Sequence, residues 1–392
     1  MGWTERPGAR RAAAVLLLGA LVALVTSCSS VPGADRLDAT PPSLLVTAGD
    51  AGVRDLRVQY RAAVCSRLAP AGPASCDEVL RRLPGEAGQA TPSPTSTPFG
   101  DLAYRYRIAF VPGFFSECFD GFARPFADVV RSLRRAGFDV DYFQVSGRGT
   151  VSQNAVRLAE HFLAANADAR PFILFAYSKG VPDALEFTLR FPIAAKRIAA
   201  VVSVAGAVNG SPLADNLLAA YRDWVATFPL PGCEPGKGDE IQDLRRDVRL
   251  EWWRTKGMRV TIPIFTLVAA PQPDRVSPGT RATYRNLARI DLRNDGKLLW
   301  SDQIAPRSYL LGYANADHWA IAIPVAQELP QLAFLFRDAV PRVALVEAAI
   351  ELVAQTLDAG GSSVEEVDGQ ATRRQAPSER ERLFSTDPAG TP

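Results

Sequence analysis

The chain has 392 residues, 47% of them apolar, a formal charge of +2 and only two histidines. A chain of that size and composition can bury a large core, and its scattered charges form no basic stripe of the kind that grips phosphate backbones, which argues against a nucleic-acid partner. His161 and His318 lie far apart, and there is no Cys-x-x-Cys, P-loop or dinucleotide fingerprint, so neither a metal nor a cofactor is expected.

At the N-terminus, Arg6, Arg10 and Arg11 precede an apolar stretch from Ala12 to Val25, too short to span a bilayer comfortably and placed like a signal-peptide core. It ends in Val25-Thr26-Ser27-Cys28, which resembles a bacterial lipobox. The resemblance implies a cleaved signal over 1–27, lipid attached to Cys28 and a membrane-anchored, extracytoplasmic place in the cell envelope. An ordinary secretory signal or an uncleaved anchor is the alternative. Cys65, Cys76, Cys118 and Cys233 then remain, an even number in an oxidising compartment. Of three possible pairings, Cys65–Cys76 with Cys118–Cys233 is preferred, the first closing a short loop and the second tying segments near the candidate site; free buried thiols are the alternative.

A polar tether over 28–43 leads to an N-terminal appendage over 44–90, with helical spacing at Leu56, Tyr60, Val64 and Leu68. Residues 91–100 form a Pro/Ser/Thr linker, since prolines lack the donors that helix and central strand need. Over 101–357, short apolar runs alternate with amphipathic stretches, the pattern of an α/β fold with a mostly parallel sheet flanked by helices. The expected strands are Arg107–Val111, Val140–Val145, Phe172–Ala176, Ala199–Val204, Ile262–Ala269 and Ser308–Leu311. Helices are expected over Ala123–Ala136, Val151–Ala165 and Val181–Leu189, with more from Trp319 to Leu357 covering the sheet. The segment 207–257 is too long for a simple crossover and carries Trp224, Phe228, Trp252 and Trp253. It reads either as an inserted helical cap over the strand ends or as a peripheral hairpin whose aromatics only pack. From 358 to 392 apolar residues become sparse and a disordered tail is expected.

The pentapeptide Ala176-Tyr177-Ser178-Lys179-Gly180 lies between an apolar strand-like run and a helix-like stretch. A serine on such a sharp turn projects its hydroxyl, and small residues two positions either side let strand and helix pack closely. With two histidines in the chain, His318, downstream in Ala316-Asp317-His318-Trp319, is the candidate base, because His161 sits on a helix ahead of the strand. Asp317 is given no role.

These pieces, in the order loop, serine, acid, histidine, resemble the α/β-hydrolase superfamily and within it secreted lipase- and esterase-like serine hydrolases; the resemblance covers Tyr104 to Pro341. It implies a nucleophile at Ser178, a base at His318 and two backbone oxyanion donors, Phe114 and Lys179, with Phe115 a poorer third. Phe114 follows Val111-Pro112-Gly113, where Pro112 replaces a histidine frequent in the family. By the same resemblance Asn294-Asp295-Gly296-Lys297-Leu298 is an acid loop and Asp295 the triad acid; Asp302 and Asp274 are the alternatives, since spacing does not decide which carboxylate reaches the imidazole. The stretch Asn209 to Asp215 would shape a pocket wall or serve only as a turn and helix cap. The implied activity is hydrolysis of carboxylic esters, small-molecule or lipid, through an acyl-enzyme, with an apolar acyl group suggested by Phe114, Phe115 and Trp224. A thioesterase, acyltransferase or peptidase would use the same triad, and a non-catalytic envelope lipoprotein acting as a binding module is the reading from another class.

Overall fold

The computed structural model describes residues 52–68, 76–82, 98–119, 124–164, 168–216 and 234–374, with side chains to 359 apart from those of 118 and 119. Cys28, Cys233, the Cys118 side chain, Trp224, Phe228 and residues 375–392 therefore lie outside the described residues.

Along the chain, β1 (Arg54–Asp55) and α1 (Arg57–Cys65) are followed by β2 (Leu80–Arg81), β3 (Arg107–Val111), α2 (Ala127–Arg135) and β4 (Val140–Tyr142). Next come α3 (Val151–Ala164), β5 (Phe172–Tyr177), α4 (Gly180–Arg190), β6 (Ile198–Val204) and α5 (Arg246–Thr255). The order closes with β7 (Ile264–Ala269), α6 (Arg281–Leu287), β8 (Tyr309–Ala314) and α7 (Arg342–Arg374). The sheet has eight strands in the order β1-β8-β7-β6-β5-β3-β4, with β2 also on β8. All pairs are parallel except β2 with β8. This is the mostly parallel α/β architecture expected from the alternation of runs.

The central strands are apolar on both faces because helices cover both. In β5 every residue is buried. Ile173, Phe175 and Tyr177 join one core cluster with Val129 and Leu133 of α2 and Leu345, Ala349 and Val353 of α7. Phe172, Leu174 and Ala176 join the other with Leu158 and Phe162 of α3 and Leu185 and Phe187 of α4. The period-2 alternation thus sends successive side chains into two separate cores, and Ser178 emerges at the carboxyl end between them.

Two expectations need correction, and one left open is decided for its second reading. Part of the N-terminal appendage is built into the domain: β1 and β2 pair with β8, and Tyr60 and Val64 of α1 are fully buried in the main core. The Tyr60 hydroxyl donates to the Leu345 carbonyl of α7 at 2.9 Å, and a Cys65–Cys76 disulfide, with Cα atoms 5.3 Å apart, closes the segment as expected. Trp252 and Trp253 do not cap the strand ends. They are buried in the cluster of α3 and α4, where Trp252 Nε1 donates to Glu186 at 2.6 Å and Trp253 Nε1 to the Val208 carbonyl at 3.1 Å, so in this half of 207–257 the aromatics pack. Finally, α7 continues as helical backbone to Arg374, past the expected start of the tail. Among the described residues no helix is long and apolar enough to cross a membrane.

Candidate active site

Ser178 follows the last residue of β5 and precedes Lys179, the N-cap of α4, and its φ of 54° lies in the left-handed region that β-carbon sterics disfavour. Holding a non-glycine residue there costs on the order of 1–3 kcal/mol, which the surroundings must offset. They do so through close backbone approach. A β-carbon on Gly113 would stand 2.8 Å from Ser178 Cβ, and one on Gly180 would stand 2.6 Å from the carbonyls of Val111 and Pro112. Ser178 N–H donates to the Val204 carbonyl at 3.2 Å, and its own carbonyl accepts from Val181 and Ala207 at 3.2 and 3.0 Å. The small-residue frame of the pentapeptide is what permits β3, β5 and α4 to meet at one serine.

His318 comes from the loop after β8 and Asp295 from the loop between α6 and β8. His318 Nε2 lies 2.9 Å from Ser178 Oγ, and His318 Nδ1 lies 2.7 Å from Asp295 Oδ2. With the ring proton on Nδ1 donated to the carboxylate, Nε2 is left to accept from the serine hydroxyl. Asp295 is fully buried, and its Oδ1 accepts the backbone N–H of Lys297 at 2.8 Å and of Leu298 at 2.7 Å. The His318 N–H donates to the Asp295 carbonyl at 2.9 Å, and the Tyr177 hydroxyl donates to the His318 carbonyl at 2.7 Å, so His318 and Asp295 are also bound through their main chains. Ser178 itself is partly exposed and open to an incoming group.

The two alternative acids are elsewhere. Asp302 is buried in an ion pair with Arg246, Oδ2 to Nε at 3.2 Å, and burial raises its carboxyl despite that partner. Asp274 stands exposed in the turn Pro273–Arg275. Asp317, adjacent to the histidine, turns away: it accepts from Ser277 N–H at 2.6 Å, Thr280 Oγ1 at 3.1 Å, and the N–H groups of Trp319 and Ala320 at 3.1 and 3.0 Å, fixing the loop that carries His318. His161 is exposed on α3, its ring stacked on Phe143. The segment after β6 clamps the acid loop from outside, with Asn209 Nδ2 donating to the Ser301 and Ile304 carbonyls and Ser211 Oγ to the Lys297 carbonyl. Asp215 caps α5 through the Arg246 N–H at 3.0 Å, so this stretch serves as turn and cap.

On the loop after β3, Phe114 follows the glycine packed against Ser178, while the Phe115 N–H is already donated to the Gly147 carbonyl at 3.1 Å. That engagement removes Phe115 as a donor. Behind the serine runs a buried polar relay that sequence reasoning missed. Lys179 Nζ lies 2.7 and 3.0 Å from the two oxygens of Asp183, one turn along. Asn154 Nδ2 donates to Asp183 Oδ2 at 2.8 Å and to the Ser146 carbonyl at 3.0 Å, and Asn154 Oδ1 accepts from the Ser146 N–H at 2.9 Å. Gly147, next in the chain, holds Phe115. Both segments that carry the expected oxyanion donors are therefore tied to one asparagine. Burial pushes the Asp183 carboxyl up, opposed by Lys179 and Asn154. A signal was available: Asn154 falls in the i, i+3, i+4 stripe of α3 with Val151, Ala155 and Leu158, where a polar residue must be buried and therefore partnered.

No protein-family model matches the chain, and no curated protein matches it. Among solved structures it is similar to the metagenomic carboxyl esterase MGS0156, at 32% identity and a TM-score of 0.73, over 83% of this chain and 100% of that one. Fainter likenesses are to the mature lipase BlEst2 of Bacillus licheniformis (21% identity, TM-score 0.46, 58% of this chain and 89% of that one) and to EstA of Clostridium botulinum (12%, 0.44, 63% and 87%). The first likeness carries the conclusion: this chain belongs to the carboxyl esterase family of the α/β-hydrolase fold.

Proposed function

We propose that the protein is a serine hydrolase that cleaves carboxylic esters through an acyl-enzyme. The observation that carries this reading is the continuous chain Ser178 Oγ–His318 Nε2–His318 Nδ1–Asp295 Oδ2, at 2.9 and 2.7 Å, mounted on a serine held at positive φ. In this mechanism Ser178 Oγ attacks the ester carbonyl while His318 Nε2 takes its proton, and Asp295 holds the tautomer and stabilises the imidazolium. The backbone N–H groups of Phe114 and Lys179 receive the oxyanion, a contribution of about 3–4 kcal/mol per donor. The tetrahedral centre collapses, the alcohol leaves with the proton from His318, and water deacylates Ser178 by the same route. A non-catalytic module would have no need of a partly exposed, strained serine beside a tautomer-fixed imidazole.

Labelling with a fluorophosphonate probe tests the reading: the native protein is expected to label and Ser178→Ala to remain blank, with loss of turnover of a p-nitrophenyl ester. An unlabelled native protein would sink it. The lipobox-like Val25-Thr26-Ser27-Cys28 supports attachment of this enzyme to the envelope membrane through Cys28, which palmitate incorporation in the native chain and its loss in Cys28→Ala would test.

A further inference from the structure

The side chain of Lys297 is an ionic group that the mechanism leaves unused. It sits in the tight turn that begins with the proposed acid: Asp295 N–H donates to the Leu298 carbonyl at 3.0 Å, Gly296 has a φ of 88°, and Asn294 bridges to Leu299. The turn projects Nζ to 5.0 Å from the ring centroid of Trp319, the residue after His318. Lysine and tryptophan are both partly buried. The ammonium makes no hydrogen bond or ion pair among the described residues.

Two buried cations of the site region have carboxylates, Lys179 with Asp183 and Arg246 with Asp302, and Lys297 has none among the described residues. The two acids closest in charge to Lys297 are Asp295 and Asp317. Neither makes a contact with it: Asp295 spends three of its acceptor sites on His318 and two backbone N–H groups, and Asp317 accepts from four donors. Burial accordingly pulls the Lys297 ammonium down to about 8, with the two aspartates resisting. Cation–π contact with Trp319 returns only about 0.5–2 kcal/mol, less than a direct anionic partner in a partly desolvated setting.

The place of this cation decides what would pair with it. In the proposed chemistry His318 delivers its proton to the departing alkoxide, and the Lys297 ammonium stands over the ring of the residue that follows His318. We propose that Lys297, seated on Trp319, is a subsite for a carboxylate carried by the alcohol half of the ester substrate. The inference rests on the ester-hydrolase reading and narrows it, from esters in general to esters whose alcohol portion is anionic.

The test compares 4-carboxyphenyl butyrate with its neutral isostere 4-carbamoylphenyl butyrate, for the native protein, Lys297→Met and Lys297→Arg. The ratio of kcat/KM between the two esters is expected to fall about tenfold or more in Lys297→Met, the equivalent of one charge-assisted contact, mainly through KM, and to be partly kept in Lys297→Arg. Equal losses on both esters, or an unchanged ratio, would overturn the subsite while leaving the hydrolase reading intact. Calorimetric titration of both esters into Ser178→Ala and Ser178→Ala/Lys297→Met proteins reads the subsite without turnover. Tighter binding of the carboxylate ester that disappears with Lys297 supports it even if the native protein hydrolyses neither ester, an outcome that would refute only the activity.

Discussion

The two halves of the site are held by different physics. Behind Ser178, the serine half rests on buried charge: Lys179, Asp183 and Asn154 form a polar relay between α4, α3 and the loop after β4. In the other half, Asp295 and His318 sit on loops and are fixed mainly by backbone N–H groups and carbonyls. The first arrangement stakes the fold on the integrity of an ion pair, because removing one partner strands the other charge away from water. The second can lose a charge and keep its shape, because a neutral acceptor still satisfies the same N–H groups. Chemistry and stability should therefore separate cleanly between the two aspartates.

The sharpest way to break that contrast is Asp295→Asn. On the proposed chemistry it should lower kcat by about 10⁴-fold by spoiling the imidazole tautomer, while thermal denaturation shows little change. A large drop in Tm would mean that the acid loop is as dependent on charge as the rear wall. Asp183→Asn should do the reverse, costing about 3–5 kcal/mol of stability through the stranded Lys179 ammonium, as read by denaturant unfolding. Asn154→Ala comes next. It frees the Ser146 peptide groups and should cost about 1–3 kcal/mol. If the relay positions the oxyanion segments, it should also lower kcat by roughly tenfold or more with KM little altered, and Asn154→Gln should not restore it, since a displacement under an ångström is enough to matter. A variant that loses stability but keeps kcat would reduce the relay to packing.

The smallest effect concerns pH. Lys297 has its ammonium lowered from 10.5 to about 8, so over that interval the unfolded chain binds more protons than the folded one. Stability contributed by this site therefore rises as pH climbs from about 8 to 10.5, as the cost of the partly buried cation is relieved. Tm measured across that window should rise in the native protein relative to Lys297→Met, and the difference should level off above it. Parallel curves for the two proteins would place the Lys297 charge in water.

Much of this was legible because the relevant signals are local. The strand β3 matches its apolar run residue for residue, and β5 and β6 differ from theirs by one residue at an end. The elbow was readable from five residues, since the steric demand for small neighbours acts within the pentapeptide. What sequence hid is tertiary. Asp295 and Asp302 share one loop, and only the direction in which each carboxylate points separates the partner of His318 from the partner of Arg246. The two-residue strands β1 and β2 are too short to show any periodicity and exist only because β8 offers an open edge. Trp252 and Trp253 read equally as lid or core, and the choice fell to packing because Glu186 and the Val208 carbonyl satisfy their indole N–H groups inside.

The pairing of β1 and β2 with β8 also bears on how the molecule is made. These strands precede β3 to β7 in the chain, and the edge they occupy belongs to the last strand of the sheet, the one that leads into His318. As the chain emerges in order, β1 and α1 must wait without their partners while β3 to β7 assemble beside them. Completion of the sheet edge and placement of His318 then fall at the same late moment, so the serine turn could form well before its proposed base reaches it. On the proposed chemistry, hydrolytic power would appear only once β8 and the His318 loop are in place.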